Sequence, residues 1–188
     1  MLIVMRIFKL LLCMLSFICT LASAQQLPAP AAGKALVIFE RPPVAALAVQ
    51  IRLFDSSKYM GLIGAGGHLV YECAPGKKLF WATAENRDFL EADLAAGQVY
   101  LVQALATPGA MQARVKLLPY DPKNKRAEKI KQQFIKRIDK GKEKKADPSM
   151  DDRNEAVISE AVTHGLQRYS TLKEKNKKIT QLTADMHT

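Results

Sequence analysis

Between residues 35 and 117 the chain is a succession of short apolar or alternating stretches. Most are closed by glycine, proline or an Asp-Ser pair, and none has helical spacing. That pattern limits the fold more than any other feature. Ala35-Leu-Val-Ile-Phe39 is apolar and β-branched and stops at Arg41-Pro42-Pro43, so it reads as a strand. Leu47, Val49, Ile51 and Leu53 alternate with Ala48, Gln50 and Arg52, which puts the apolar set on one face of a half-buried strand. Asp55-Ser56-Ser57 turns the chain, and a short strand begins at Tyr59.

Two links then predict hairpins. Ala65-Gly66-Gly67 joins the Tyr59 strand to one that runs from His68 to Cys73. Ala74-Pro75-Gly76-Lys77 has proline and glycine at the central positions of a type II turn, where proline presets the first φ and glycine accepts the positive one. The run from Lys78 to Ala84 is expected to return as its partner. Glu91 to Leu94 is short and alternating. Ala95-Ala96-Gly97 turns into Gln98 to Leu105, which is apolar on both sides and reads as a central strand. After Thr107-Pro-Gly, Met111, Ala113, Val115 and Leu117 face in while Gln112, Arg114 and Lys116 face water, as at a protected sheet edge. Pro119 and Pro122 close the region. Such a series predicts a mainly β fold: a small antiparallel β-sandwich over 35–122, with a basic helical extension behind it. Gly61, Gly67, Pro75, Gly76 and Gly97 are its expected turn residues, and Trp81 a core anchor.

The beginning of the chain reads as an export signal. Arg6 and Lys9 give a positive start, residues 10–21 are apolar or small, and Ala22-Ser23-Ala24 is a small-x-small exit before Gln25. Those 12 residues fall short of the roughly 20 that span a bilayer. The expectation is therefore cleavage between Ala24 and Gln25 and a periplasmic or secreted protein, with 25–34 a linker. Cys13 and Cys19 would leave with residues 1–24. Cys73 is then the remaining thiol, which excludes an intramolecular disulfide and, in a strand, reads as buried.

From Lys123 the pattern changes. Residues 123–145 hold 11 of the 28 basic side chains against three acidic ones, whereas the strand-rich region is nearly balanced. Ala127, Ile130, Phe134 and Ile138 recur every three or four residues as a narrow helical stripe, so 123–146 is expected to be a basic amphipathic helix or connector. Asp147-Pro148 then signals a helix start. Ile158, Val162, Gly165, Tyr169, Leu172, Asn176, Ile179, Thr183 and Met186 follow at heptad spacing. A C-terminal helix over 147–188 is expected, weakened by Gly165, Asn176 and Thr183, that packs on a partner, on its own domain or on a second copy.

Gly61-Leu62, Gly66-Gly67-His68, Tyr71 with Pro75-Gly76-Lys77, Ala95-x-Gly97-x-x-Tyr100 and Ala113-Arg114-Val115-x-Leu117 together resemble a bacterial family catalogued as domain of unknown function 2846. The resemblance covers about half the chain, roughly residues 35–119. It implies an exported or lipid-anchored envelope β-sandwich and brings no activity or catalytic residues.

The residues themselves point to no catalysis. His68, His164 and His187 are isolated in sequence, which disfavours a metal site. No Gly-x-Ser-x-Gly elbow is present. Glu91 and Asp93 share a strand face that reads as solvated, and the glycines at 61–67 precede no helix that could hold phosphate. No cofactor is expected. The basic stretch is the candidate binding surface, with Lys129, Lys131, Lys136, Arg137 and Lys140 to meet an anionic membrane, cell wall or envelope protein, and Ile130, Phe134 and Ile138 to lie in an interface. Export removes nucleic acid as a partner. The expected function is a non-enzymatic binding or structural module of the envelope; the alternative is a periplasmic hydrolase or carbohydrate-active enzyme.

Overall fold

The computed structural model describes residues 27–44, 48–107, 114–145 and 155–188. The expected signal segment with its expected Ala24–Gln25 junction, Leu47, the turn after Thr107, Met111 and Ala113, and the helix start expected at Asp147-Pro148 lie outside them. Within the described residues the fold is mainly β, two five-stranded sheets face to face. The strands are β1 (Ala35–Glu40), β2 (Ile51–Asp55), β3 (Lys58–Ile63), β4 (Gly67–Cys73), β5 (Gly76–Thr83), β6 (Arg87–Leu94), β7 (Val99–Thr107), β8 (Arg114–Pro119), β9 (Lys142–Lys145) and β10 (Thr180–Leu182). The helices are α1 (Ala127–Lys140) and α2 (Glu155–Glu174). The first sheet runs β8-β7-β1-β4-β9 and the second β10-β6-β5-β2-β3.

Strand parity sorts the side chains into three apolar layers. Val37, Phe39, Leu69, Tyr100 and Val102 of the first sheet meet Leu53, Met60, Phe80 and Leu90 of the second in the sandwich core. Phe80 sits edge-on to both Phe39 and Tyr71, with ring centroids 5.4 and 6.1 Å apart. On the outer face of the first sheet, Leu36, Ile38 and Leu101 are covered by Phe134 of α1 and by Tyr120. On the outer face of the second, Phe54, Trp81 and Phe89 lie under Ile158, Val162, Tyr169 and Leu172 of α2. Both sheets are thus covered on both sides. That explains why β1 and β7 read as apolar runs and not as alternations.

Several expectations change. The sheets are mixed: β1 pairs in parallel with β7, β4 with β9 and β6 with β10. Neither predicted hairpin forms. β3 and β5 belong to the second sheet and β4 to the first, so both links carry the chain across the sandwich. A glycine turn reverses direction equally well within a sheet or between two, and alternation does not say which sheet receives the strand. Gly76, at φ 100, and Gly97, at φ 76, do supply the positive φ their turns need. Gly61 and Gly67 are strand residues; Gly61, at φ 145, lies opposite Leu53 beside a β-bulge. The hairpins that form are β2–β3, β5–β6 and β7–β8.

β8 is an edge strand, as expected, but its outward backbone is occupied. Asn86 accepts from Val115 N–H at 2.6 Å and donates to its carbonyl at 3.0 Å, and Asp88 accepts from Leu117 N–H at 2.7 Å. Side chains of the β5–β6 turn and of β6 therefore close this edge, in addition to the charges of Arg114 and Lys116.

The chain beyond Lys123 is woven into the sandwich. β9 follows α1 directly and joins β4, and β10 follows α2 and joins β6. The C-terminal helix ends at Glu174 and not near Thr188. Asn176, at φ 49, takes the left-handed position after it, with Lys177 N–H on Leu172 O at 2.9 Å and Asn176 N–H on Lys173 O at 3.0 Å. That is a Schellman stop, in which asparagine stands in for the usual glycine. The heptad spacing continues numerically past this stop, but Ile179 then packs from an extended segment.

Candidate functional site

The basic helix was the candidate surface, and its two sides have different fates. Asp121 and Asn124 open it, their side-chain oxygens accepting from Lys123 N–H at 2.8 Å and Arg126 N–H at 2.9 Å. The stripe of Ile130, Phe134 and Ile138 faces the first sheet, and Phe134 is 2% exposed. Those three residues are therefore not free to enter an interface in this conformation, because Leu36, Ile38 and Leu101 already cover them. Lys129, Lys136 and Lys140 point to solvent, and Lys131 is half-buried. Lys142, at the start of β9, continues the exposed basic side.

Arg137 departs from that group. It follows Ile130 by seven residues, which returns it to the stripe side of the helix. Its Nε lies 2.8 Å from Glu40 Oε1, and the Glu40 side chain is only 2% exposed. Around Glu40 the register assembles a row of polar side chains. Gln103 is its neighbour on β7, His68 its neighbour on β4, and Glu143 stands opposite His68 on β9. All share the face that α1 covers. Burial raises the Glu40 pKa, while Arg137 and Gln103 pull it down. Burial lowers the His68 pKa, against the pull of Glu143. A cavity of about 320 Å³ beside the row is lined by Gln103, Tyr120, Phe134 and Arg137 among others. Sequence reasoning missed this row. Its signals were a carboxylate at the end of an apolar run and an arginine at the seventh position of an apolar stripe.

A second polar cluster lies on the other sheet. Glu91, expected on a solvated face, accepts hydrogen bonds from Tyr169 Oη at 2.6 Å, Lys173 Nζ at 2.9 Å and Gln181 Nε2 at 2.7 Å. It so ties β6 to α2 and to β10, at the side of an open groove of about 640 Å³ that includes Lys77, Lys78 and Asp93. These bonds, Tyr169 first, hold the Glu91 carboxyl down at about 2 against an ordinary 4.5. A depressed carboxyl stabilises the fold above its ordinary value and loses that contribution as pH falls. Thermal unfolding should therefore show a loss of stability between pH 4.5 and about 2 that Glu91→Gln reduces. An unchanged acid limb in that variant would remove Glu91 from the account.

The remaining sequence candidates are structural. Trp81 is fully buried, stacks on Phe54 with centroids 3.9 Å apart, and donates from Nε1 to Ser56 O at 2.8 Å. Cys73 is buried and its thiol is pushed up, first by burial. The stripe of α2 is taken up by its own sheet, and Val157, a large apolar residue of α2, is 41% accessible. Among the described residues no cluster of His, Cys, Asp and Glu suits a metal ion, and no helix is long and apolar enough to cross a membrane. The chain matches no family model, and no curated protein aligns with it significantly.

Proposed function

We propose that this protein is a non-enzymatic docking module of the cell envelope that presents the lysine side of α1 to an anionic surface. The observation that carries the reading is the division of that helix: its apolar side is anchored on the first sheet, and Lys129, Lys136 and Lys140 project outward from a fixed scaffold. A rigid array of cations does not have to be ordered on binding, and each lysine near an anionic bilayer contributes about 1 kcal/mol. Export rests on residues 1–24. The resemblance to domain of unknown function 2846 points to the same compartment and to no activity. The rival hydrolase reading draws on the adjacency of Glu40 and His68; the two residues are 1% and 5% exposed, which supports a structural use.

Co-sedimentation with phosphatidylglycerol vesicles tests the proposal. The mature protein should pellet with them, not with phosphatidylcholine vesicles, and salt should release it. Deleting residues 123–145 would be a poor control, because it strips the cover from the first sheet. Reversing Lys129→Glu, Lys136→Glu and Lys140→Glu together leaves the stripe intact and should weaken binding by more than about 100-fold. Full binding by that variant would overturn the reading.

A further inference from the structure

We propose that the row Gln103–Glu40–His68–Glu143, closed from above by Arg137, is an acid-opened clasp that holds α1 and β9 on the first sheet. Four adjacent strands, β7, β1, β4 and β9, contribute one polar residue each at a single level of the sheet. The apolar residues of the same face, Leu36, Ile38 and Leu101, lie on the same side as this row and under the same helix. The clasp therefore stands where α1 gives way to β9.

The connection between those elements passes close to the imidazole. A side chain on Gly141 would place its Cβ 3.2 Å from His68 Nδ1 and 2.5 Å from Gly66 O, so only glycine lets the chain pass there. His68 is 5% exposed, and its buried Nδ1 has no hydrogen-bond partner among the described residues. The charged groups around it are Glu40 from β1, Glu143 from β9 and Arg137 from α1. Glu40 is already matched by Arg137 at 2.8 Å, and Glu143 is exposed. A proton on His68 thus puts a poorly compensated cation beneath a tight backbone crossing. The element it holds is the weakest in the sheet: β9 is a four-residue edge strand in parallel pairing, and α1 has one fully buried side chain.

The sign follows from burial. His68 binds its proton less tightly in place than when released. Its contribution is therefore present above the ordinary 6.5 and lost as pH falls through the window just below it. Glu40 is raised and so works in the opposite sense, but from an ordinary value of 4.5. Opening is expected where the loss at His68 exceeds the opposing gain at Glu40, and His68→Gln removes the first while leaving the second.

Hydrogen exchange corrected for intrinsic rates, at about pH 7.5 and about pH 5.5, tests this. Residues 127–145 should lose protection on acidification while the β5–β6 hairpin keeps it, and His68→Gln should abolish the difference. Equal behaviour of the two regions in the wild type, or the same selective loss in His68→Gln, would overturn the clasp. Should His68→Gln fail to fold, the wild-type imidazole resonance decides: a ring that titrates while 127–145 stay protected also overturns it. Opening would release the lysines of α1 from their scaffold, a consequence that rests on the docking reading. Selective opening with vesicle binding unchanged at the lower pH would confirm the clasp and count against docking by a fixed lysine array.

Discussion

Gly165→Ala should destabilise the protein, although alanine is the better helix former by about 1 kcal/mol. The added Cβ would stand 2.5 Å from Trp81 Cη2, 2.7 Å from Cζ2 and 2.8 Å from Cζ3. An indole at a core edge could swing aside, but this one is held on three counts. It stacks on Phe54 at an interplanar angle of 7°, it contacts Phe89 with centroids 6.1 Å apart, and its Nε1 is bonded to Ser56 O. The helix must lift instead, which loosens Ile158, Val162, Tyr169 and Leu172 together. Overpacking of this kind costs about 1–3 kcal/mol, and Gly165→Val should cost more. Urea unfolding followed by the fluorescence of Trp81, the one tryptophan in the chain, reads both the stability and the local environment. Gln167→Ala, on the exposed side of α2, should stay within about 0.5 kcal/mol. Stability equal to wild type in Gly165→Ala would mean that the helix does not depend on this contact.

Gly165 also shows what was legible in the sequence and what was not. Heptad spacing located the buried stripe of α2 correctly as far as Leu172, yet the glycine in it looked like a weakness. It is the point of closest approach, because only a residue without Cβ lets the helix axis come down onto a flat indole. The strands were legible for a local reason: alternation and turn residues act within a few positions. Their assignment to sheets was not, since the partner of β4 is β1 on one side and β9 on the other, and no spacing announces either. The turn at Pro75-Gly76 was read with the right φ and the wrong destination. The basic helix was read with the right faces, while the occupant of its apolar face was sought outside the molecule. Glu40 and Arg137 were both visible as charges out of place in apolar patterns. Their pairing needed β1 and α1 to be brought together in space.

Phe134→Ala should be the most damaging truncation beyond Lys123, costing about 3–5 kcal/mol, on the order of 10 °C in Tm. Phe134 is 2% exposed and packs with Leu36, Ile38, Leu101 and Tyr120, while Arg137 lies over its ring with the guanidinium carbon 5.5 Å from the centroid. Truncation leaves a cavity at the centre of the helix–sheet contact and removes the surface against which Arg137 is held toward Glu40. Ile130 and Ile138 are half-buried and cannot close the gap from either side. The loss should therefore appear first as detachment of α1 and β9, with hydrogen exchange rising over 127–145 before the sandwich core opens. Lys136→Ala, on the exposed side of the same helix, should leave the melting curve in place. The pair of variants separates two roles that one amphipathic segment combines: Phe134 reports whether the helix belongs to the fold, and Lys136 whether its outer side does anything beyond it. A stable, fully protected Phe134→Ala protein would mean that the helix is not anchored by its stripe, and the fixed lysine array on which the docking proposal depends would lose its scaffold.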